Sequence, residues 1–235
     1  MPSTLRKTDS KAESIVKEYL ICNFYEILFK NKYKSITDAS LQQKGKDTII
    51  FDDKKGFAID EKSAVHYINT PLSTFAFEIQ FKNRAGNIVD GWFIDDTLET
   101  QYYFVMWIQA KPKYRKNGDE IKGKDYLESF RKTDITLVEM YCIKKNKLKK
   151  YIIDKYQLTN DSMRKKANEM REKYKESKQQ CALDGEIKYY YSGNLYEQPT
   201  NLVINKKVLK KLASSVYLIE PNKITKNGDV IHETP

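Results

Sequence analysis

Apolar positions along the chain switch between a helical and an alternating period. From Ser10 to about Lys32, the residues Ile15, Val16, Tyr19, Leu20, Phe24, Ile27 and Leu28 recur at helical spacing. This predicts one long amphipathic helix capped by Ser10, with residues 1–9 as a tail. Residues 47–63 then split into DTIIF and GFAIDEKS around the polar turn Asp52 to Lys55, which predicts a hairpin. TFAFEIQF (74–81), GWFID and YYFVMWIQA (102–110) read as further strands, with a turn around Asn83 to Asn87. The polar stretch 112–125 reads as an exposed loop. TDITLVEMYCI and LKKYIID flank Lys144 to Lys147 as a second hairpin, and Met163, Ala167, Met170 and Tyr174 form a narrow stripe on a charged helix over 161–180. A strand at NLVI, a helix at KKVLKKLA and a strand at SSVYLIE follow.

These elements predict an α/β protein with a mixed central sheet flanked by helices. The expected core spans 10–110, with an extension over 111–222 packed on it, a basic hairpin and helix at 134–180, and a tail at 223–235. A chain of 235 residues with 40% hydrophobic residues is long enough to bury a full core.

Charge adds a partner to this picture. The formal net charge is +10, with 17 Tyr and 10 Phe, so polyanions are attracted and rings are available for stacking. Residues 144–178 carry 13 Lys or Arg against 5 Asp or Glu. Lys144, Lys145, Lys147, Arg164, Lys165 and Arg171 are therefore the expected phosphate contacts, with a solvated basic face as the competing reading. Cys22, Cys142 and Cys181 fit no CxxC metal pattern and no disulfide framework, which points to a reducing compartment. With no apolar h-region in MPSTLRKTDS, the expected location is the cytoplasm.

The chemistry concentrates in the first hairpin. A regular register sets Phe51 opposite Gly56, Ile49 opposite Ala58, and hence Asp47 opposite Asp60. Facing carboxylates repel unless a cation lies between them. Strand alternation puts Lys62 on the same face as Asp60 and Glu61 on the other, supporting the site from behind; a one-residue slip would exchange the two acids. Two carboxylates suit Mg²⁺ or Mn²⁺. The lysine would orient or help deprotonate a water and offset charge on the phosphate in the transition state.

An acid, a short hairpin, then Asp60-Glu61-Lys62, all after a long helix, resembles the PD-(D/E)xK nuclease superfamily of restriction enzymes, resolvases and repair nucleases. Asp47 takes the place of the first acid, with Lys46 where the motif has proline. The lead-in Gln43-Lys44-Gly45-Lys46-Asp47 is similar to a group of restriction-endonuclease-like proteins with Gln-x-x-Gly-x-Asp. The resemblance covers residues 10–110 and implies a metal-dependent endonuclease hydrolysing phosphodiester bonds in DNA, in restriction, defence or a phage-related role. It also implies a glutamate on the first helix as an auxiliary metal ligand, for which Glu13 is the matching residue, although an acid in a helix's first turn is favoured by the dipole in any case. Gln43 either touches substrate or caps the strand. Double-strand cutting would suit a homodimer, for which no interface signature is present. The alternative is a non-catalytic, inhibitor-like binding module for nucleic acid or protein on the same scaffold. Two opposed acids on a basic chain speak against it. Glu78 and His66 could each act at the site, with an ordinary solvent-facing or structural role as the favoured reading, and Trp92 and Trp107 read as core aromatics.

Overall fold

The run YYFVMWIQA is apolar at nearly every position because both of its faces are covered. It forms strand β6 (Tyr102–Ala110), in which Phe104, Met106 and Ile108 enter one core and Tyr103, Val105 and Trp107 enter another. The structure, a computed structural model, describes residues 4–53 and 55–234.

Around β6 runs an eight-stranded mixed sheet in the order β1-β2-β3-β6-β7-β11-β12-β13. Its other members are β1 (Tyr33–Ser35), β2 (Thr48–Phe51), β3 (Gly56–Ser63), β7 (Ile135–Lys144), β11 (Ser215–Glu220), β12 (Lys223–Lys226) and β13 (Asp229–Glu233). Among the described residues of this sheet only β3 and β6 pair in parallel; every other neighbour is antiparallel. The chain between them crosses into a second, antiparallel sheet of five strands, ordered β5-β4-β10-β9-β8. These are β4 (Thr74–Lys82), β5 (Ile88–Asp90), β8 (Lys178–Ala182), β9 (Ile187–Ser192) and β10 (Thr200–Asn205). The protein is thus α/β with a mixed central sheet. Both halves of the chain contribute strands to both sheets, since β7 pairs with β6 and β10 with β4.

One core lies between the sheets, where Phe75 and Phe77 of β4 meet Trp107 and Tyr103 of β6 edge to face. Helices α4 (Lys145–Tyr156), α5 (Asn160–Tyr174) and α6 (Lys206–Leu212) close it with Leu148, Ile152, Met163, Ala167, Met170 and Leu209. The second core lies on the far face of the large sheet, under helix α1 (Thr4–Leu20), whose Ala12, Val16, Tyr19 and Leu20 are buried.

Several expectations change. Helix α1 begins at Thr4, so Ser10 and Glu13 lie inside it, and residues 4–9 are helical rather than a tail. A π-helical turn at Ile21–Tyr25 interrupts the long helix. Such a wider turn lets consecutive side chains face inward, and Phe24 and Tyr25 are both wholly buried. Short turns, α2 (Glu26–Leu28) and a 3₁₀ turn at Lys30–Lys32, lead into β1, and α3 (Ala39–Gln42) precedes β2. The supposed second hairpin is β7 running directly into α4, because Leu148, Tyr151 and Ile152 recur at helical spacing toward the core. GWFID is a turn after β5 whose Phe93 and Ile94 are wholly buried. The expected C-terminal tail is the β12–β13 hairpin, anchored by the buried Ile224. Among the described residues no helix is long and apolar enough to cross a membrane.

Candidate active site

β2 covers β3 only as far as Thr48↔Ile59, in the register read from the sequence. One residue further, the backbone of Asp47 leaves the ladder. Its N–H bonds the Ile59 carbonyl at 2.9 Å, and its Oδ2 accepts the Glu61 N–H at 2.8 Å. The carboxylate therefore stands where a neighbouring strand would have supplied a carbonyl, and β3 is open beyond it. Asp47 is fixed from both sides: Lys17 of α1 donates to its carbonyl at 2.7 Å and to that of Ile36 at 3.3 Å.

The loop before Asp47 is equally constrained. Gly45 has φ +72 and its carbonyl accepts from Thr100 Oγ1 at 2.9 Å; a Cβ there would stand 2.2 Å from that oxygen. Gly45→Ala is expected to destabilise the protein by more than about 1 kcal/mol and to displace Asp47. Thermal melting checks the first effect, and a melt unchanged from wild type would contradict it.

Asp60 sits on the face of β3 that continues into the inter-sheet core beside Tyr103, its parallel partner on β6. It is 2% exposed, and its Oδ1 meets Lys62 Nζ at 2.7 Å. Its Oδ2 has no hydrogen-bond partner, and neither has the buried Tyr103 hydroxyl. The Asp47 carboxylate is close enough for its charge to act on that of Asp60. Burial first, and then Asp47, push the Asp60 carboxyl well above the usual carboxylate range, against the pull of Lys62. For Lys62, burial pulls downward, but Asp60, Asp47 and Glu13 outweigh it and hold the ammonium firmly charged. That ammonium also lies 5.0 Å from the centre of the Trp92 ring. Trp92 is thus part of the site's wall rather than only a core residue.

Glu61 turns to the α1 face. Its Oε1 accepts from Tyr25 Oη and from Thr48 Oγ1, both at 2.6 Å. Burial raises its carboxyl, opposed by Lys17 and these two bonds. Glu13, on α1, reaches solvent yet is surrounded by enough protein that desolvation raises its carboxyl, opposed by Lys62. Among the described residues, no group of three or more His, Cys, Asp or Glu side chains is arranged to hold a metal ion. Asp47 and Asp60 are a pair, and Glu13 does not converge with them as a third ligand. Gln43 is exposed at the end of α3; it is Gln42 that reaches the site's border, donating to the Ile36 carbonyl at 2.9 Å.

A cleft of about 610 Å³ between α1 and the open edge of β3 is lined by Glu13, Lys17, Asp47, Glu61, Lys62 and Ser63, among others. Asp60, buried and paired with Lys62, is not among the residues that line it. His66 bonds Asp9 at the next opening along α1.

The basic residues singled out in the sequence do not form one face. Lys145 is 6% exposed and donates to the Leu98 carbonyl at 3.2 Å. Arg164 grips Asp90 with Nε at 3.0 Å and Nη2 at 2.7 Å and reaches Asp161 as well. Arg171 is docked on Gln80 and the Gln198 carbonyl. Lys144, Lys147 and Lys165 remain exposed. Lys145, Arg164 and Arg171 serve packing and pairing, which corrects their expected role as free phosphate contacts.

No protein-family model, curated protein or solved structure matches the chain.

Proposed function

We propose that this protein is a metal-dependent nuclease of the PD-(D/E)xK type that acts on DNA, with Asp47 and Asp60 as its acids and Lys62 as its cation. The observation that carries this reading is the buried, unpartnered Oδ2 of Asp60 beside a second carboxylate. An ionised acid so placed is costly unless a cation shares the space. Two hard oxygen donors, Asp47 at the open strand edge and the buried Asp60 beside it, fit Mg²⁺ or Mn²⁺. Held by Asp47 and Asp60, such an ion would supply Lewis acidity toward a phosphate and lower the pKa of a water. Lys62, kept charged by its acidic neighbours, presents its ammonium to a phosphate in the cleft and orients the attacking water. Trp92 restricts where that ammonium can go. Glu61, tied to Tyr25 and Thr48, holds β3 against the π-helical turn and β2.

Supercoiled and linear DNA incubated with Mg²⁺ or Mn²⁺ should be nicked or cut, and left whole when the cation is chelated. DNA that stays intact with both cations, yet is bound equally with and without them, would instead favour a non-catalytic binding module. One observation supports that second reading: Lys62 is engaged with Asp60 at 2.7 Å.

Stability should report the same site. Asp60, Glu61 and Glu13 all have carboxyls raised by burial, so the folded state holds their protons to higher pH than the unfolded chain does. The cation-free protein should therefore gain stability as pH falls through those folded values toward the ordinary carboxylate range. Mg²⁺ should raise the melting temperature most at mildly alkaline pH, by about 2.7 kcal/mol of stability at a hundredfold excess over its Kd. A Mg²⁺ effect that is zero, or largest at acid pH, would contradict this.

A further inference from the structure

The five-stranded sheet has one face in the core and the other open. Along β9, Tyr189 and Tyr191 point inward, 1% and 0% exposed, while Lys188 and Tyr190 point outward. Helix α5 packs on the inner side, in the same core as Tyr189 and Tyr191. The outer face forms one wall of a groove of about 620 Å³, and α1 with the residues after β3 forms the other. This groove shares Glu13 and Ser63 with the cleft at Asp47 and Lys62, so the two are neighbours.

Its lining carries three lysines, Lys124, Lys178 and Lys188. None has an acidic partner among the described residues, and Lys188 bonds only the neutral Gln180, at 2.7 Å. On the α4–α5 surface Arg164 is bound to Asp90 and Asp161, and Lys155 to Glu186 and Asp184, while Lys147 and Lys165 stay exposed. Two rings accompany the groove lysines, Tyr67 at 48% exposure and the partly buried Tyr190. Uncompensated cations beside Tyr190 on the sheet face and Tyr67 in the 3₁₀ turn Val65–Tyr67 across the groove suit phosphates and bases together. A duplex keeps its bases stacked inside, so rings recessed in a groove are available only to unpaired ones.

We infer that this groove binds a single strand of nucleic acid, its phosphates on Lys124, Lys178 and Lys188 and its bases against Tyr67 and Tyr190, leading to the Asp47–Lys62 cleft. The direction of the track rests on the nuclease reading; binding itself does not. Of the two acids that line this groove, Asp9 is bonded to His66 and Glu13 lies where the groove meets the cleft.

The test is fluorescence anisotropy of a labelled oligothymidylate with the divalent cation chelated, so that binding is read apart from cutting. Tyr190→Ala should weaken binding about tenfold. Lys178→Ala and Lys188→Ala should each flatten the dependence of log affinity on log salt by about 0.7. Both lysines stand on the open face, and thermal melts of the variants confirm that they fold. Binding that follows these expectations, with no cutting by the wild type under any cation, would keep the groove and remove the nuclease reading. Wild-type affinity in the Tyr190 and lysine variants would overturn the groove, as would loss of binding only in Lys144→Ala, Lys147→Ala and Lys165→Ala. Equal affinity for a blunt duplex, insensitive to Tyr190→Ala, would also overturn it.

Discussion

Lys62→Ala should lower the rate of DNA cutting by about 10²- to 10⁴-fold, and Asp60→Ala should reduce it at least as far. The single lysine variant confounds two effects, because it strands Asp60, 2% exposed, without its ammonium partner. Breaking a buried pair costs about 3–5 kcal/mol, an upper value here since the Lys62 side chain retains 28% exposure. The double variant Asp60→Asn/Lys62→Met separates folding from chemistry. It removes both charges, relieves the orphaned Oδ2 and the crowding with Asp47, and keeps the side-chain volumes. It should fold at least as stably as the wild type in the absence of cation and cut no DNA. Initial rates and denaturant melts on the three proteins decide the matter. Cutting at the wild-type rate by the double variant would remove Asp60 and Lys62 from the chemistry. A double variant less stable than either single one would show the pair to be a structural element instead.

Phe77→Ala should cost about 3–5 kcal/mol. Phe77 is wholly buried at the seam between the two sheets, with its ring against those of Phe75, Trp92, Phe93 and Tyr103. Its loss opens a cavity that neither sheet can close without shifting against the other. The effect should extend to the site, because Trp92, which stands over Lys62, would lose its backing. A urea melt measures the first consequence. A loss below about 1 kcal/mol would mean that the sheets do not depend on this seam.

How far these features could be read from the sequence depends on the range of the interactions behind them. The first hairpin and its register were legible, because alternation and a polar turn are local signals. So were β6 and α5, the one a continuous apolar run and the other a narrow stripe. LKKYIID misleads because its β-branched pair Ile152 and Ile153 favours a strand, while the core contact at Leu148 and Ile152 selects a helix. The C-terminal hairpin was missed because its only large apolar anchor is Ile224. The basic residues failed for a different reason. The partners that occupy Lys145, Arg164 and Arg171 lie 47, 74 and 91 residues away, and no local pattern reveals them. The outward row Lys188 and Tyr190 was equally hidden until the pairing of β9 fixed which side chains face out. At the site itself, strand period ties Lys62 to Asp60, whereas Asp47 arrives through a side-chain bond to Glu61 N–H that the register alone does not supply.

The central claim is that Asp47 and Asp60 together hold a divalent cation. Crystals soaked in Mn²⁺ and measured at its absorption edge test it directly. The account predicts one anomalous peak bound by both carboxylates, with Lys62 withdrawn from Asp60, and no peak there in Asp60→Asn. Lys62 still seated on Asp60 at saturating Mn²⁺, with no density between the two acids, would contradict it.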